Sequence, residues 1–338
     1  MIVVYGVTGY TGGLIARQAC RRGLDVVVAG RNAERVGAVA KELGVPHRAF
    51  DVDDAGAIAG ASVVLNCAGP FVRTAARLAR ACIAANAHYL DLAGEVAEIE
   101  AVRGLDAEAR TAGVMLMPAV GFGVVPTDCV AARLATKMPG ATGLSLAFQT
   151  VGGVSRGTLR TVLKDVHRDG VARRDGTLVP RRPAAERRRI DLGAGETTAV
   201  TNPWRGDLVT AYVTTAIPNI DTLTAFPPPL TWLMSAGWLL DRPIVQRLLD
   251  ALVARAPEGP SDAERAKGRS YVWGEARDGA GHTAVVRLEG PEAYEFTVQT
   301  AVEVAARVAR GEARPGFQTP AGMFGPSIVE ADNVRIHA

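Results

Sequence analysis

The sequence lacks an excess of charge of either sign, paired cysteines, aromatic density and any long apolar run, and each absence narrows what the chain can do. Its 338 residues carry 38 basic and 35 acidic side chains, 38 − 35 = +3. That balance offers no footprint for nucleic acid or an anionic membrane surface, both of which need clustered positive charge. The four cysteines, Cys20, Cys67, Cys82 and Cys129, form no Cys-x2-Cys pair, so zinc and dithiol signatures are missing and small buried thiols are expected. The five histidines show no paired spacing, and no metal is expected. None of the six tyrosines has a lysine four residues later, which excludes, in its usual form, proton donation by a tyrosine whose pKa a neighbouring lysine lowers. The most apolar stretch, residues 226–240, opens with a phenylalanine and three prolines. It is shorter than the ~20 residues that span a bilayer, so it reads as a buried or pocket-lining helix entry, and no integral membrane segment is expected. The N-terminus shows no basic n-region or cleavable apolar segment, so a cytoplasmic, reduced protein is expected.

What is present is apolar material for a core. Hydrophobic residues make up 48%, aromatics only 5%, and there are 37 glycines, so the core is built of Ala, Val and Leu and the turns are many. The length suggests two domains, since single cores stop growing near ~250–300 residues. The first third alternates β-branched runs (2–5, 25–29, 47–50, 63–66, 88–92, 114–117) with alanine-rich helical patterns (11–22, 33–43, 74–85, 98–112), each helix followed by a Gly or Asn suited to a C-cap. This predicts an α/β fold, a doubly wound parallel sheet of Rossmann type. After a further helix over 128–137 the pattern changes to Thr- and Val-rich strands at 144–150, 208–216, 270–276 and 282–288, with helices at 155–168, 229–255 and 292–309. A second α+β domain on a largely antiparallel sheet is expected. The basic run Arg181, Arg182, Arg187, Arg188 and Arg189 reads as a solvated loop or edge strand, with phosphate binding as the alternative.

Gly6-Val7-Thr8-Gly9-Tyr10-Thr11-Gly12 follows an apolar strand and opens a helix. Glycine is needed there so that the chain can turn sharply and its backbone can approach a pyrophosphate, while the helix N-terminus offers N–H groups to that phosphate. The end of the second strand selects the cofactor, because a carboxylate there would accept hydrogen bonds from a ribose 2′-hydroxyl. The sequence has Val28-Ala29-Gly30-Arg31-Asn32 instead, with Arg31 placed for a 2′-phosphate and Arg35 one turn further on, so NADP(H) is predicted over NAD(H). Asp51 borders the adenine in this reading. The small residues Cys67, Ala68, Gly69, Pro70 and Phe71 end the fourth strand where a nicotinamide ring would lie, and the fifth delivers Tyr89, Asp91, Gly94 and Glu95 near the same edge. Tyr89 and Asp91 share one strand face and are either catalytic or neighbours in a structural hydrogen bond.

The combination VTGYTG (7–12), AGRN (29–32), NCAGPF (66–71), YLDLAGE (89–95), PAVGFGVVPTD (118–128), SRGT (155–158) and GFQTPAGMFG (316–325) resembles the saccharopine dehydrogenase-like oxidoreductases, and within them the bacterial branch that includes trans-acting enoyl reductases. The resemblance implies a Rossmann domain over 1–128, a substrate-binding and dimerisation domain over 129–310, and a segment 311–338 that returns to the first domain. It places Gly6, Thr8, Gly9, Tyr10 and Thr11 in the phosphate loop, Arg31 at the 2′-phosphate, 67–71 beside the nicotinamide and 121–128 at the domain junction. The family usually carries an aspartate after the Gly-Phe pair, whereas this chain has Gly123, and the amino-acid-recognising set of the lysine-pathway enzymes is not apparent.

The expectation that follows is an NADPH-dependent reductase acting on the C=C bond of a largely hydrophobic small-molecule substrate, in a homodimer. Phe122, Gly123, Arg156 and Trp232 are the candidate substrate contacts, and Arg156, or backbone N–H groups near Gly123, is also the catalytic candidate that would donate to charge building on a substrate carbonyl oxygen. Arg156 sits in a helix start where Ser155 can cap and N–H groups can hold an anion. The proton is assigned to Tyr89, Asp128 or water. An imine or ketone reductase, a saccharopine dehydrogenase-like enzyme and a non-catalytic NADP-binding sensor are the alternatives.

Overall fold

Short apolar runs that are buried on both faces form parallel strands when helices cross between them. The first third of the chain has that pattern. In the computed structural model, which describes every residue except 160–168, 194, 227–244, 246–252 and 338, these runs become β1 (Ile2–Tyr5), β2 (Val26–Gly30), β3 (His47–Ala49), β4 (Val63–Asn66), β5 (His88–Asp91) and β6 (Met115–Met117). Strands are numbered along the whole chain. One of its last strands, β15 (Gly316–Phe317), pairs parallel with β6, and the sheet order is β15-β6-β5-β4-β1-β2-β3. Helices α1 (Tyr10–Arg21), α2 (Ala33–Leu43), α3 (Phe71–Ala84), α4 (Val96–Arg103) and α5 (Asp106–Thr111) connect these strands. The order reverses between β1 and β4, so their carboxyl ends flank the crevice where ligands bind in open α/β sheets. Register aligns Tyr5 with both Ala29 and Asn66, and Asn66 with Asp91, which sets these strand ends in one row.

The helix expected over 98–112 is two helices, broken at Gly104 and Leu105. The expected domain limits also shift. One unit comprises Met1–Val125 and Tyr294–Phe324, the other Pro126–Ala293 and Gly325–Ala338. The helix α8 (Ala293–Ala309) therefore falls almost wholly in the first unit rather than in a second domain over 129–310. The final segment divides as well. β15 joins the parallel sheet, whereas β16 (Arg335–His337) pairs with a strand of the second unit, β14 (Thr283–Pro291).

The second unit is a mixed sheet in the order β10-β11-β12-β7-β13-β14-β16, in which only the pairing of β12 with β7 is parallel. Its strands are β7 (Ala141–Val151), β10 (Arg187–Asp191), β11 (Glu196–Thr201), β12 (Asn219–Thr224), β13 (Arg269–Asp278) and β14, with β8 (Gly170–Arg174) and β9 (Thr177–Arg181) as a hairpin against β12. The helix α6 (Val125–Lys137) lies close on this sheet. A Cβ at Gly274 would come within 2.5 Å of Val130 and 2.8 Å of Leu134, so β13 needs glycine at that point.

One strand prediction fails here. Residues 208–216, read as a strand from their Thr and Val content, form the helix α7 (Asp207–Thr215). Leu208, Val209, Thr210 and Ala211 are all buried in it, and burial on more than two successive positions outweighs the β-propensity of Thr and Val. Of the basic run, Arg181 ends β9, Arg182 lies in the loop that follows, and Arg187, Arg188 and Arg189 lie on the edge strand β10, where Arg188 reaches Glu275 at 2.7 Å and Arg189 pairs with Glu196. Among the described residues, no helix is long and apolar enough to cross a membrane and no cluster of His, Cys, Asp or Glu could hold a metal ion.

Candidate cofactor site

The glycine loop is shaped first by the protein's own packing. Gly6 has φ +89°, and a Cβ there would lie 2.8 Å from the Ala68 nitrogen and 2.9 Å from its Cα. A Cβ at Gly12 would come within 2.4 Å of the Gly6 carbonyl oxygen and 3.2 Å of the Cys67 Cβ. The loop after β1 is thus pressed against the loop after β4, and only glycine permits it. Gly9 then caps α1 with no side-chain hydrogen bond, and the first turn contains no acid. The positive end of that helix is left facing outward, as a pyrophosphate site requires.

Other glycines have no such reason within the chain. A Cβ at Gly69 or Gly94 would meet no atom within 4 Å, and neither residue has a left-handed backbone. They lie just past β4 and β5, at the carboxyl edge where a planar ring would rest on backbone. Space that neither packing nor conformation demands fits a bound ligand.

At the end of β2, Arg31 is exposed, and its side chain forms no hydrogen bond or ion pair with a described residue. Asn32 is not aimed outward. It caps α2, its Oδ1 accepting from the Arg35 N–H at 2.9 Å. Asn32 therefore orients the helix start that carries Arg35 instead of serving as a separate contact. The Asp51 carboxylate accepts from the Val52 N–H at 2.7 Å and lies 3.7 Å from Arg77.

Beneath the carboxyl edge of β4 and β5 runs a buried polar ladder. The Asn66 amide donates to the Tyr89 hydroxyl at 3.0 Å and to Thr74 at 3.3 Å, while its carbonyl accepts from the Ala68 N–H at 3.0 Å. Tyr89 donates in turn to Asp91 at 2.8 Å, and the other Asp91 oxygen accepts from the Ala93 and Ala119 N–H groups at 2.9 and 2.8 Å. Asn66, Tyr89 and Asp91 are all fully buried. Burial pushes the Asp91 carboxyl up to about 6 against the pull of those donors, and it pushes the Tyr89 and Cys67 acids up as well. Tyr89 thus ties Asn66 to Asp91 inside the unit. Asp128, within the second unit, is likewise fully buried and accepts from Thr214 at 2.7 Å. The Arg156 Nε donates to the Ala256 carbonyl at 2.9 Å, and Ser155 caps its helix by accepting from the Thr158 N–H at 3.2 Å. The remaining substrate candidate, Trp232, lies outside the described residues.

Several positioning groups are distant in sequence and carry no motif. The buried Glu98 accepts from the Val72 N–H at 2.9 Å, holding the start of α3 beside Gly69–Phe71. On α8, Thr297 accepts from the Phe122 N–H at 3.0 Å, and Thr300 donates to the Val120 carbonyl at 2.9 Å. The Phe122 and Phe296 ring centroids lie 5.8 Å apart, and Tyr10 of the glycine loop meets Tyr294 edge-on at 5.2 Å. Only a Gly-Phe or Thr-x-x-Thr spacing hinted at these contacts. Neither spacing carries meaning until α8 is placed.

Comparison with known proteins agrees with this geometry. Residues 2–117 match the model of the saccharopine dehydrogenase NADP binding domain. A Mycobacterium tuberculosis protein provisionally named a trans-acting enoyl reductase is 33% identical over 181 residues, covering 48% of this chain and 43% of that protein. A trans-acting enoyl reductase of Mycobacterium ulcerans is 30% identical over 139 residues, covering 38% of this chain and 33% of that protein. The match thus spans less than half the length of these curated relatives. Among solved structures, an apo saccharopine dehydrogenase (L-Glu forming) from Saccharomyces cerevisiae superposes with a TM-score of 0.68 at 14% identity, over 100% of this chain and 99% of that one. A homospermidine synthase from Legionella pneumophila in complex with NAD gives 0.64 at 10% identity, over 97% and 87%. At such identities these two show a shared fold and nothing more.

Proposed function

We propose, from the match of residues 2–117 to the saccharopine dehydrogenase NADP binding domain, that the protein is an NADPH-dependent reductase of a C=C bond in a largely hydrophobic small-molecule substrate. The observation that carries the cofactor half is the exposed, unengaged Arg31 at the end of β2, where no carboxylate stands. The enoyl half is supported by the 33% identity to the mycobacterial relative named for that activity. Bound NADPH supplies the hydride. The chain's own residues do the rest. Gly6–Gly12 and the N-terminus of α1 hold the pyrophosphate, Arg31 and Arg35 the 2′-phosphate, and Cys67–Phe71 with Gly94 the nicotinamide face. Phe122, fixed by Thr297 and Phe296, and the backbone at Gly123 are the proposed substrate contacts in this unit. With Tyr89 and Asp128 engaged internally, water is the proposed proton source. The protein acts as a homodimer in this reading, which its mass in solution checks.

The experiment is NADPH consumption against enoyl thioesters, cyclic imines and ketones, with Arg31→Ala beside the wild type. Turnover of the enoyl compounds is expected, and the substitution should weaken NADPH by about 1.5–3 kcal/mol while leaving NADH nearly unchanged. Turnover of imines or ketones instead would move the assignment to that class of reductase. A second reading, an NADP-binding sensor without chemistry, is favoured by one specific observation, the internal engagement of both candidate acids. Tight NADPH binding with no consumption across the whole panel is its expected signature.

A further inference from the structure

Beside Arg31 lies a cluster that the proposed cofactor contacts leave unexplained. The loop after β3 carries two carboxylates, Asp51 and Asp53, both exposed. They stand where negative charge would repel a 2′-phosphate. Arg77, two turns into α3, meets them. Its Nε donates to both Asp53 oxygens at 2.9 and 3.1 Å, its Nη2 makes a further short contact to Asp53, and Nη2 lies 3.7 Å from Asp51. The hydroxyl of Tyr5, at the end of β1, locates the cluster. It donates to the Phe50 carbonyl at 3.1 Å, and the Phe50 N–H donates to the Gly30 carbonyl at 3.1 Å. Arg31 and Asp51 therefore leave the paired strands β2 and β3 at the same edge, and Arg77 joins Asp51 to Asp53 there.

Counting Arg31 and Arg77 against Asp51 and Asp53 gives zero for the cluster. Without Arg77 the count is −1, and two carboxylates are released next to Arg31. We propose that Arg77 is a specificity-determining positioning residue, which neutralises and holds Asp51 and Asp53 so that the charge of Arg31 reaches the 2′-phosphate of NADP(H) uncancelled by them. Arg77 acts here through the two carboxylates and not by touching the phosphate. This inference rests on the NADP(H) assignment and on the role given to Arg31.

The test is fluorescence titration of the full-length protein with NADPH, NADH and 2′,5′-ADP at low and high ionic strength. The proteins compared are the wild type, Arg31→Ala, Arg77→Met, Arg77→Lys and the double variant Arg77→Met/Asp53→Asn. Arg77→Met is expected to weaken NADPH and 2′,5′-ADP by about tenfold and NADH by less than about twofold, with the loss shrinking at high salt. Arg77→Lys should keep most of the affinity, and removing the Asp53 charge in the double variant should recover at least about threefold. Equal weakening of NADPH and NADH would mark Arg77 as merely structural and overturn the proposal, as would no recovery in the double variant. If Arg31→Ala abolishes the preference for NADPH while Arg77→Met leaves it intact, the cofactor assignment stands and the proposal alone fails. A wild type that binds NADH as tightly as NADPH removes both.

Discussion

Two polar clusters occupy the carboxyl edge of the first unit's sheet, and they are built on opposite principles. Around Tyr5 the groups are full charges on exposed side chains, Arg31, Asp51, Asp53 and Arg77. Around Tyr89 they are buried and linked in a chain, Thr74 to Asn66 to Tyr89 to Asp91, ending on two backbone N–H groups. Water screens the first cluster, so its ion pairs contribute ~0–1 kcal/mol each to folding. No water reaches the second, so each partner removed leaves a buried group unsatisfied at a cost of ~1–3 kcal/mol. The exposed cluster is therefore suited to discriminating a charged ligand, and the buried one to fixing the loops on which that ligand rests.

The sharpest way to break this division is to make the loops themselves fail. Gly6→Val puts a branched side chain at φ +89° and drives it into the Ala68 backbone, which should cost about 3–5 kcal/mol of stability and abolish NADPH binding. Gly94→Ala is the control. Its Cβ meets nothing within 4 Å, so denaturant unfolding should change by less than about 0.5 kcal/mol while NADPH affinity falls. If Gly94→Ala leaves affinity untouched, the space beside Gly94 is not occupied by the cofactor.

How far the sequence foretold these clusters depends on how local the determinants are. The strands and helices of the first unit could be read because each is a short apolar run or an amphipathic stretch punctuated by a residue such as Gly44, whose φ of +68° closes α2. The glycine loop, Arg31 and the 66–71 turn could be read for the same reason, since their chemistry lies within a few residues. Glu98, Thr297, Thr300 and Arg77 could not, because each acts on a partner 24 to 180 positions away. In the second unit the Arg-rich strand β10 lacks alternation, and Val209 and Thr210 carry β-propensity that burial of α7 overrides. The sequence pattern puts Tyr89 on a strand, on the same face as Asp91, as the structure does. Whether that face pointed to ligand or to core was a tertiary fact.

The next effect concerns acidity. Burial pushes the Asp91 carboxyl up from its ordinary value of 3.8 to about 6 in the folded protein. For an acid raised by burial, the associated stability is fully present below the unfolded value and is lost as pH climbs through the folded one. Its contribution should therefore fall by about 2–3 kcal/mol between pH 4 and pH 7. Comparing the unfolding free energy of the wild type and Asp91→Asn across that window isolates it, because the substitution removes the titration. A difference between the two that does not change with pH would mean that Asp91 is no more acidic or basic than an exposed carboxyl. Within the same ladder Asn66→Ala strips a donor from Tyr89 and an acceptor from the Ala68 N–H, and about 2 kcal/mol is expected in denaturant unfolding.

Arg77 gives the smallest stability effect and the most direct test of the contrast. Its contacts with Asp53 and Asp51 outnumber those of Asn66, four to three, yet its side chain is about half exposed, at 49%. If burial and not the number of contacts decides the cost, Arg77→Met should shift the unfolding free energy by less than about 1 kcal/mol, and salt should shrink even that. Equal losses for Arg77→Met and Asn66→Ala would show that the exposed charges hold the fold as firmly as the buried ladder does, and that the two clusters do not divide their work between ligand and fold.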